Sequence, residues 1–232
     1  LEHAKRILAE IDTMGQSLSD VRQGLKGRLR LGAIPTALPL VAQITGPFSE
    51  RYPAVTLTVI SMTSNAIQSA IDNFDIDVGI TYLDNEPLER VVSKPLYNET
   101  YVLLTRDDST LATRDEIGWR EAADLNLCLL TPDMQNRRIL DGIFRSVGKA
   151  PVPVMETNSI FNLCSHASVP GWVSIVPSQL PRFFGIPSGL KALRLIEPAA
   201  SRSVGLILAD RQPQAPLARS LMAISEPIPL DD

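Results

Sequence analysis

The chain has 232 residues, room for one large or two medium domains, and its 44% hydrophobic and 21% charged residues are ordinary for a globular protein. Its net charge of −4 argues against a broad basic face for gripping nucleic acid, so any DNA contact is expected from another part of a longer protein. No stretch approaches the roughly twenty apolar residues of a membrane span, no secretory leader is visible, and Cys128 and Cys164, with no CxxC pair, fit two buried thiols in a reducing cytoplasm.

The first predicted element is a rod. Ala4, Ile7, Ile11, Met14, Leu18, Val21 and Leu25 alternate at spacings of three and four. Such a 3.5-residue repeat draws an apolar stripe that a second helix covers, predicting a dimerising helix over 1–26, roughly 37 Å long. The alternative is an amphipathic helix folded back on its own domain. Leu1, not Met, stands at its start, so a segment ahead of it is expected.

Alternating elements follow. A strand is predicted over 28–34, a helix over 38–51 ending before Pro53, a β-branched strand over 55–60, a helix over 64–73 and a short strand over 78–81. The order then restarts with a strand over 101–105, a short helix over 121–125, a strand over 127–130 and a helix over 136–147. A strand over 152–156, a helix over 159–167 and a strand over 173–176 complete that run, and a strand over 204–209 with a helix over 216–224 closes the chain. The β-α-β order implies parallel sheets covered by helices, and its repetition implies two α/β lobes with a cleft between them. If the last strand returns to the first lobe, the chain crosses twice, near 102–105 and 202–204. The expected division is a linker helix 1–26, lobe I from 27–103 plus 204–232, and lobe II from 104–203.

Ligands of open α/β sheets sit at the carboxyl ends of strands, where helix N-termini point. Four such junctions carry small polar residues: Ile34-Pro-Thr-Ala37, Ser61-Met-Thr-Ser-Asn65, Thr131-Pro-Asp-Met-Gln135 and Thr157-Asn-Ser-Ile160. Taken singly, each reads as a helix cap; converging on one cleft, their amides and dipoles make an anion site.

Enzyme signatures are missing: no GxGxxG, GxSxG or HExxH occurs, and the only histidines are His3 and His166. No catalytic residue, metal or cofactor is expected. Gly142-Ile-Phe-Arg-Ser-Val-Gly148-Lys149 is similar to a phosphate loop but lacks the spacing and the final Ser/Thr, so Gly148 reads as a helix C-cap. Cys164 lies a turn inside its helix, a position that suits burial rather than thiolate chemistry.

The rod ending in Gly-Leu-Lys-Gly27, followed by Arg28-Leu-Arg-Leu-Gly-Ala-Ile-Pro-Thr36, resembles the linker helix and first regulatory strand of LysR-type transcriptional regulators. Phe48-Ser-Glu-Arg-Tyr-Pro53, Asp75-Ile-Asp-Val-Gly-Ile80, Pro95-Leu-Tyr97 and Ser174-Ile-Val-Pro-Ser178 extend the resemblance, in order, along essentially the whole chain. The resemblance implies a two-lobed effector domain similar to type 2 periplasmic binding proteins, preceded by the coiled-coil linker. It also implies a winged helix-turn-helix ahead of the rod that reaches promoter DNA, pairing into homodimers and homotetramers, and a cytoplasmic location away from membranes.

By the family's pattern the effector contacts are Thr36, Met62, Thr63, Ser64 and Tyr82 from lobe I, and Thr131, Gln135, Asn158 and Ser159 from lobe II. Met62 stands where the family often has Gly, which narrows the expected pocket, and Pro170 departs from the family's rim. Arg106, Arg137 and Arg138 are expected in solvent. With no cation in the contact set, neutral donors point to a small carboxylate or oxyanion. A transport-type solute-binding protein is the alternative, which the rod and the missing leader disfavour. An enzyme on the same scaffold would need acid–base groups beyond Asp133 and Glu156.

Overall fold

The computed structural model describes residue 11 and residues 25–230. Within them the chain forms two compact units, one from the chain up to Tyr97 together with the chain from Ser203, the other from Asn98–Arg202. The first break falls some residues ahead of the sequence expectation, because the second unit's sheet already starts at Tyr101.

The first unit holds a five-stranded sheet in the order β2-β1-β3-β11-β4. Its strands are β1 (Gly27–Ala33), β2 (Val55–Ser61), β3 (Val78–Tyr82), β4 (Val91–Glu99) and β11 (Arg202–Ala209). β1 lies parallel to both β2 and β3, so all three end at one edge. β11 returns antiparallel to β3. Helices α1 (Leu38–Arg51), α2 (Ser64–Asp72) and α7 (Pro216–Ile224) belong to this unit. α1 buries Leu40, Val41, Ile44 and Phe48, one stripe at helical spacing. Two glycines set the fit of α2 on the sheet. A β-carbon at Gly32 would lie 2.7 Å from Ile76 Cδ1 and 2.9 Å from Met62 Sδ, and one at Gly79 would lie 2.5 Å from Ile67 Cγ2.

The second unit holds a six-stranded sheet in the order β6-β10-β5-β9-β7-β8. These are β5 (Tyr101–Arg106), β6 (Glu116–Gly118), β7 (Asn126–Leu130), β8 (Met155–Thr157), β9 (Trp172–Pro177) and β10 (Leu190–Ile196). β7 is parallel to β8 and β9, and β5 runs antiparallel to β9. Helices α3 (Trp119–Ala122), α4 (Gln135–Ser146), α5 (Ile160–His166) and α6 (Gln179–Phe184) complete the unit with a 3-10 turn at Thr110–Thr113.

β4, β6, β10, α6 and the 3-10 turn have no counterpart in the sequence reading. The strand expected over 152–156 is shorter and later: Pro151 and Pro153 lack the N–H that a ladder needs, and Val152 is exposed. α3 starts two residues before the expected 121, at the fully buried Trp119.

Of the predicted dimerising residues, Ala4, Ile7, Met14, Leu18 and Val21 lie outside the described residues. Ile11 is exposed. Leu25 precedes β1 outside any helix and is only 4% exposed, covered by its own chain.

Candidate functional site

The contact set predicted from sequence falls into two groups, one in each unit. In the first, Thr36 follows β1, Met62–Ser64 follows β2, and Tyr82 ends β3. Because these strands are neighbouring and parallel, their carboxyl ends bring the five residues to one edge. The edge is held by Met62 N–H donating to the Ala33 carbonyl at 2.9 Å and Ile34 N–H donating to the Ile80 carbonyl at 3.0 Å. Thr36 is 2% and Tyr82 1% exposed, and their hydroxyls lie 3.3 Å apart.

Thr63 caps α2: its Oγ1 accepts from the Ala66 amide at 3.2 Å. That leaves the amides of Ser64 and Asn65, first in the helix, with no intrahelical acceptor. The Ser64 hydroxyl is buried without a hydrogen-bond partner, in a residue only 7% exposed. A buried, unpaired hydroxyl costs about 1–3 kcal/mol, and here it stands at the positive end of a nine-residue helix. Met62 serves the packing between α2 and β1, its sulfur occupying the space over Gly32 beside Ile67 and Ile76.

In the second unit, Thr131 and Gln135 follow β7, and Asn158 and Ser159 follow the adjacent parallel β8. The Thr131 amide donates to the Thr157 carbonyl at 2.9 Å, fastening the two junctions together. Ser159 caps α5, accepting from the Asn162 amide at 3.3 Å. α4 has Met134 at its N-cap and no side-chain cap. Gln135 is buried, Asn158 is exposed, and Thr131 Oγ1 is buried with no partner.

Capping therefore accounts for Thr63 and Ser159, whereas the Ser64 and Thr131 hydroxyls are buried without a partner and that of Thr36 lies against Tyr82.

Sequence reasoning misread Arg137. Far from being solvated, it is 7% exposed. Its Nη1 donates to the Leu130 carbonyl at 2.8 Å and to Glu156 Oε1 at 2.5 Å, and its Nε donates to Asp141 Oδ1 at 2.9 Å. Burial pulls its pKa down, but the Glu156 and Asp141 carboxylates more than offset this, so the guanidinium stays charged. Arg137 thus ties α4 to the ends of β7 and β8 and, shared by two carboxylates, offers no net positive charge. Arg138 binds the Pro132 and Asp133 carbonyls. Arg106 pairs with Asp108 and the Ser168 carbonyl. Thr157, which the sequence places in the fourth junction but outside the contact set, organises that junction: its Oγ1 accepts from the Ser159 amide at 3.2 Å and the Asn162 side chain at 3.1 Å.

The remaining chemistry-bearing residues have structural roles. Gly148, at φ +73°, donates to the Arg145 carbonyl while the Lys149 amide reaches Phe144, a Schellman ending for α4 as the C-cap reading expected. Lys149 pairs with Asp124. His166 stacks on Trp172 at 5.9 Å. Among the described residues no His, Cys, Asp or Glu cluster fits a metal, and no helix is long and apolar enough to cross a membrane. A surface basin of about 600 Å³ in the second unit is lined by Arg114, Arg120 and Lys149 but also by Glu121, Asp124 and Glu197, so it neutralises itself.

Burial raises the thiol pKa of Cys128, partly offset by a hydrogen bond with Ser174, and also raises that of Cys164. In the native protein, both thiols are expected to react with a disulfide reagent at pH 8 about tenfold or more slowly than free cysteine, and in urea at the free rate. A raised folded pKa keeps the thiols protonated after unfolded ones have ionised, so their contribution to stability falls as pH rises above about 8.5. Fast native labelling at pH 8 would contradict this reading.

The model of the LysR substrate binding domain matches residues 22–226. The chain is 24% identical over 239 residues to the uncharacterised HTH-type transcriptional regulator YbhD of Escherichia coli (strain K12), covering 97% of this chain and 70% of that protein. It spans about two thirds of the length of the curated relatives it matches. The CcmR regulatory domain of Synechocystis PCC6803, solved in complex with 2-PG, superposes with a TM-score of 0.77 at 20% identity, covering 88% of this chain and all of that one. The effector-binding domain of QuiR in complex with shikimate gives 0.74 at 21% identity, covering 86% and 95% of the two chains. At these identities the likeness is one of fold, the two-sheet α/β architecture described above.

Proposed function

The chain belongs to the LysR substrate-binding domain family, and on that premise we propose that it senses a small carboxylate or oxyanion through the two junction groups. The observation that carries the reading is Ser64: a buried hydroxyl without a partner, beside two helix-end amides and on the same sheet edge as the buried Thr36–Tyr82 pair. Hydroxyls and amides at the positive end of a helix complement an anion without a cation. The bound acids named for CcmR and QuiR, 2-PG (2-phosphoglycolate) and shikimate, belong to that chemical class.

In the longer protein the signal passes to a winged helix-turn-helix ahead of residue 1, within a homotetramer joined by the linker helices. Such a regulator acts in the cytoplasm and turns over no substrate. The nine predicted contact residues include no His, Cys, Asp, Glu or Lys, which supports a binding role over an enzymatic one. The transport-type alternative draws no support from the relatives, which are transcriptional regulators.

A thermal-shift screen of small carboxylates, phosphate esters and inorganic oxyanions tests the proposal, with 2-phosphoglycolate and shikimate included. Ligand at 100 times its Kd contributes about 2.7 kcal/mol, a rise of roughly 5–10 °C. The rise is expected to shrink in Thr36→Val, Ser64→Ala and Ser159→Ala. Each variant is compared with its own unliganded Tm, because Ser159→Ala also loses a cap worth about 1 kcal/mol. No shift with any anion, or shifts untouched by all three variants, would defeat the proposal.

A further inference from the structure

Glu99 is a fully buried carboxylate that no effector contact explains. It ends β4, within two residues of where the chain passes from one unit to the other. Burying a charge is costly unless its oxygens are satisfied, and each of these oxygens takes a side-chain amide. Gln179 Nε2 donates to Oε2 at 2.8 Å, and Asn136 Nδ2 donates to Oε1 at 3.4 Å. Both donors are buried as well.

The donors' positions give the arrangement its meaning. Gln179 opens α6, just after β9, and Asn136 is the second residue of α4, just after β7. The neighbour of Asn136 on that first turn is Gln135, one of the predicted effector contacts. The same edge is fastened to the crossing segment through Thr100: its carbonyl accepts from the Ser178 amide at 2.9 Å, and its hydroxyl lies 2.6 Å from that of Ser178. Two helix starts and the crossing segment thus meet on one carboxylate.

We propose that Glu99 is a positioning residue that makes the Gln135 turn of α4, the start of α6 and the crossing segment at 98–101 open and close as one unit. A change at Gln135 is then felt at the crossing segment through Asn136 and Glu99. The regulatory meaning of this coupling rests on the effector-binding reading, whereas the coupling itself does not.

The test is native-state hydrogen exchange without ligand, read at the Ser178 amide. In the native background, Gln135→Ala is expected to speed that exchange about tenfold, the effect of losing roughly one buried hydrogen bond's worth of stability. In Glu99→Gln, which sets an amide against an amide, exchange is already fast and Gln135→Ala adds nothing. The double exchange E99Q/Q179E restores a carboxylate–amide pair with the partners reversed, and with it both the protection and the Gln135 dependence. The Ile34 amide of the first unit, bonded to Ile80, is unaffected throughout. A Ser178 amide indifferent to Gln135→Ala, an equal response in Glu99→Gln, or a double exchange that restores nothing would overturn the proposal. Since no effector is added, that failure is distinct from a failed ligand screen.

Discussion

Gly205→Ala is expected to lower the melting temperature of the first unit by about 10 °C, close to 3 kcal/mol. Gly205 lies in β11, beside β4 in the sheet. A β-carbon there would stand 2.3 Å from the Lys94 carbonyl oxygen, 3.0 Å from its carbon and 2.6 Å from Leu83 Cδ1. Leu83 can rotate away, but the Lys94 carbonyl is main chain and cannot retreat without opening the β4–β11 pairing. Gly142→Ala is the control. In α4 its β-carbon meets only Arg145 Nη2, at 3.8 Å, and relief from glycine's helix penalty gives about 0.5–1 kcal/mol of stabilisation. Differential scanning calorimetry of both variants checks the pair, and equal melting temperatures would show that the β4–β11 contact is looser than described.

Trp119→Ala is expected to cost the second unit about 3–5 kcal/mol. Trp119 is fully buried, edge-on to Tyr101 with centroids 6.0 Å apart and to Phe144 at 5.4 Å, and its Nε1 donates to the Pro198 carbonyl at 3.1 Å. The indole therefore joins β5, α4 and the segment after β10, and truncation removes a large apolar volume together with a satisfied hydrogen bond. Trp119→Phe keeps most of the volume but strands the Pro198 carbonyl, so a smaller loss of about 1–3 kcal/mol is expected. Urea denaturation followed by far-UV circular dichroism measures both. A Trp119→Ala loss below that of Trp119→Phe would contradict the packing described.

The parallel strands and helices of the first unit were legible because alternation and helical stripes are local properties: Arg28–Ile34 and Leu38–Arg51 declare themselves. β4 did not, since the exposed Ser93 and Pro95, with the half-buried Lys94 between them, break its alternation along an edge where only β11 demands pairing. The four polar junctions look alike in sequence, yet only Thr63 and Ser159 occupy the N-cap. Ala37 and Met134 hold that place in the other two, and a shift of helix phase by one or two residues separates a hydroxyl that caps a helix from one that does not. Arg137 beside Arg138 reads as a solvated pair. Its burial depends on β8 bringing Glu156 alongside β7, a contact nineteen residues away. Glu99 was unreadable for the same reason, its partners lying 37 and 80 residues on.

A crystal structure of the chain with the most strongly shifting acid bound tests the central claim most directly. The anionic group is expected within hydrogen-bond distance of Ser64 Oγ and of the Ser64 and Asn65 amides, close to the Thr36–Tyr82 pair. An acid seated instead in the surface basin among Arg114, Arg120 and Lys149, with the Ser64 hydroxyl untouched, would contradict it.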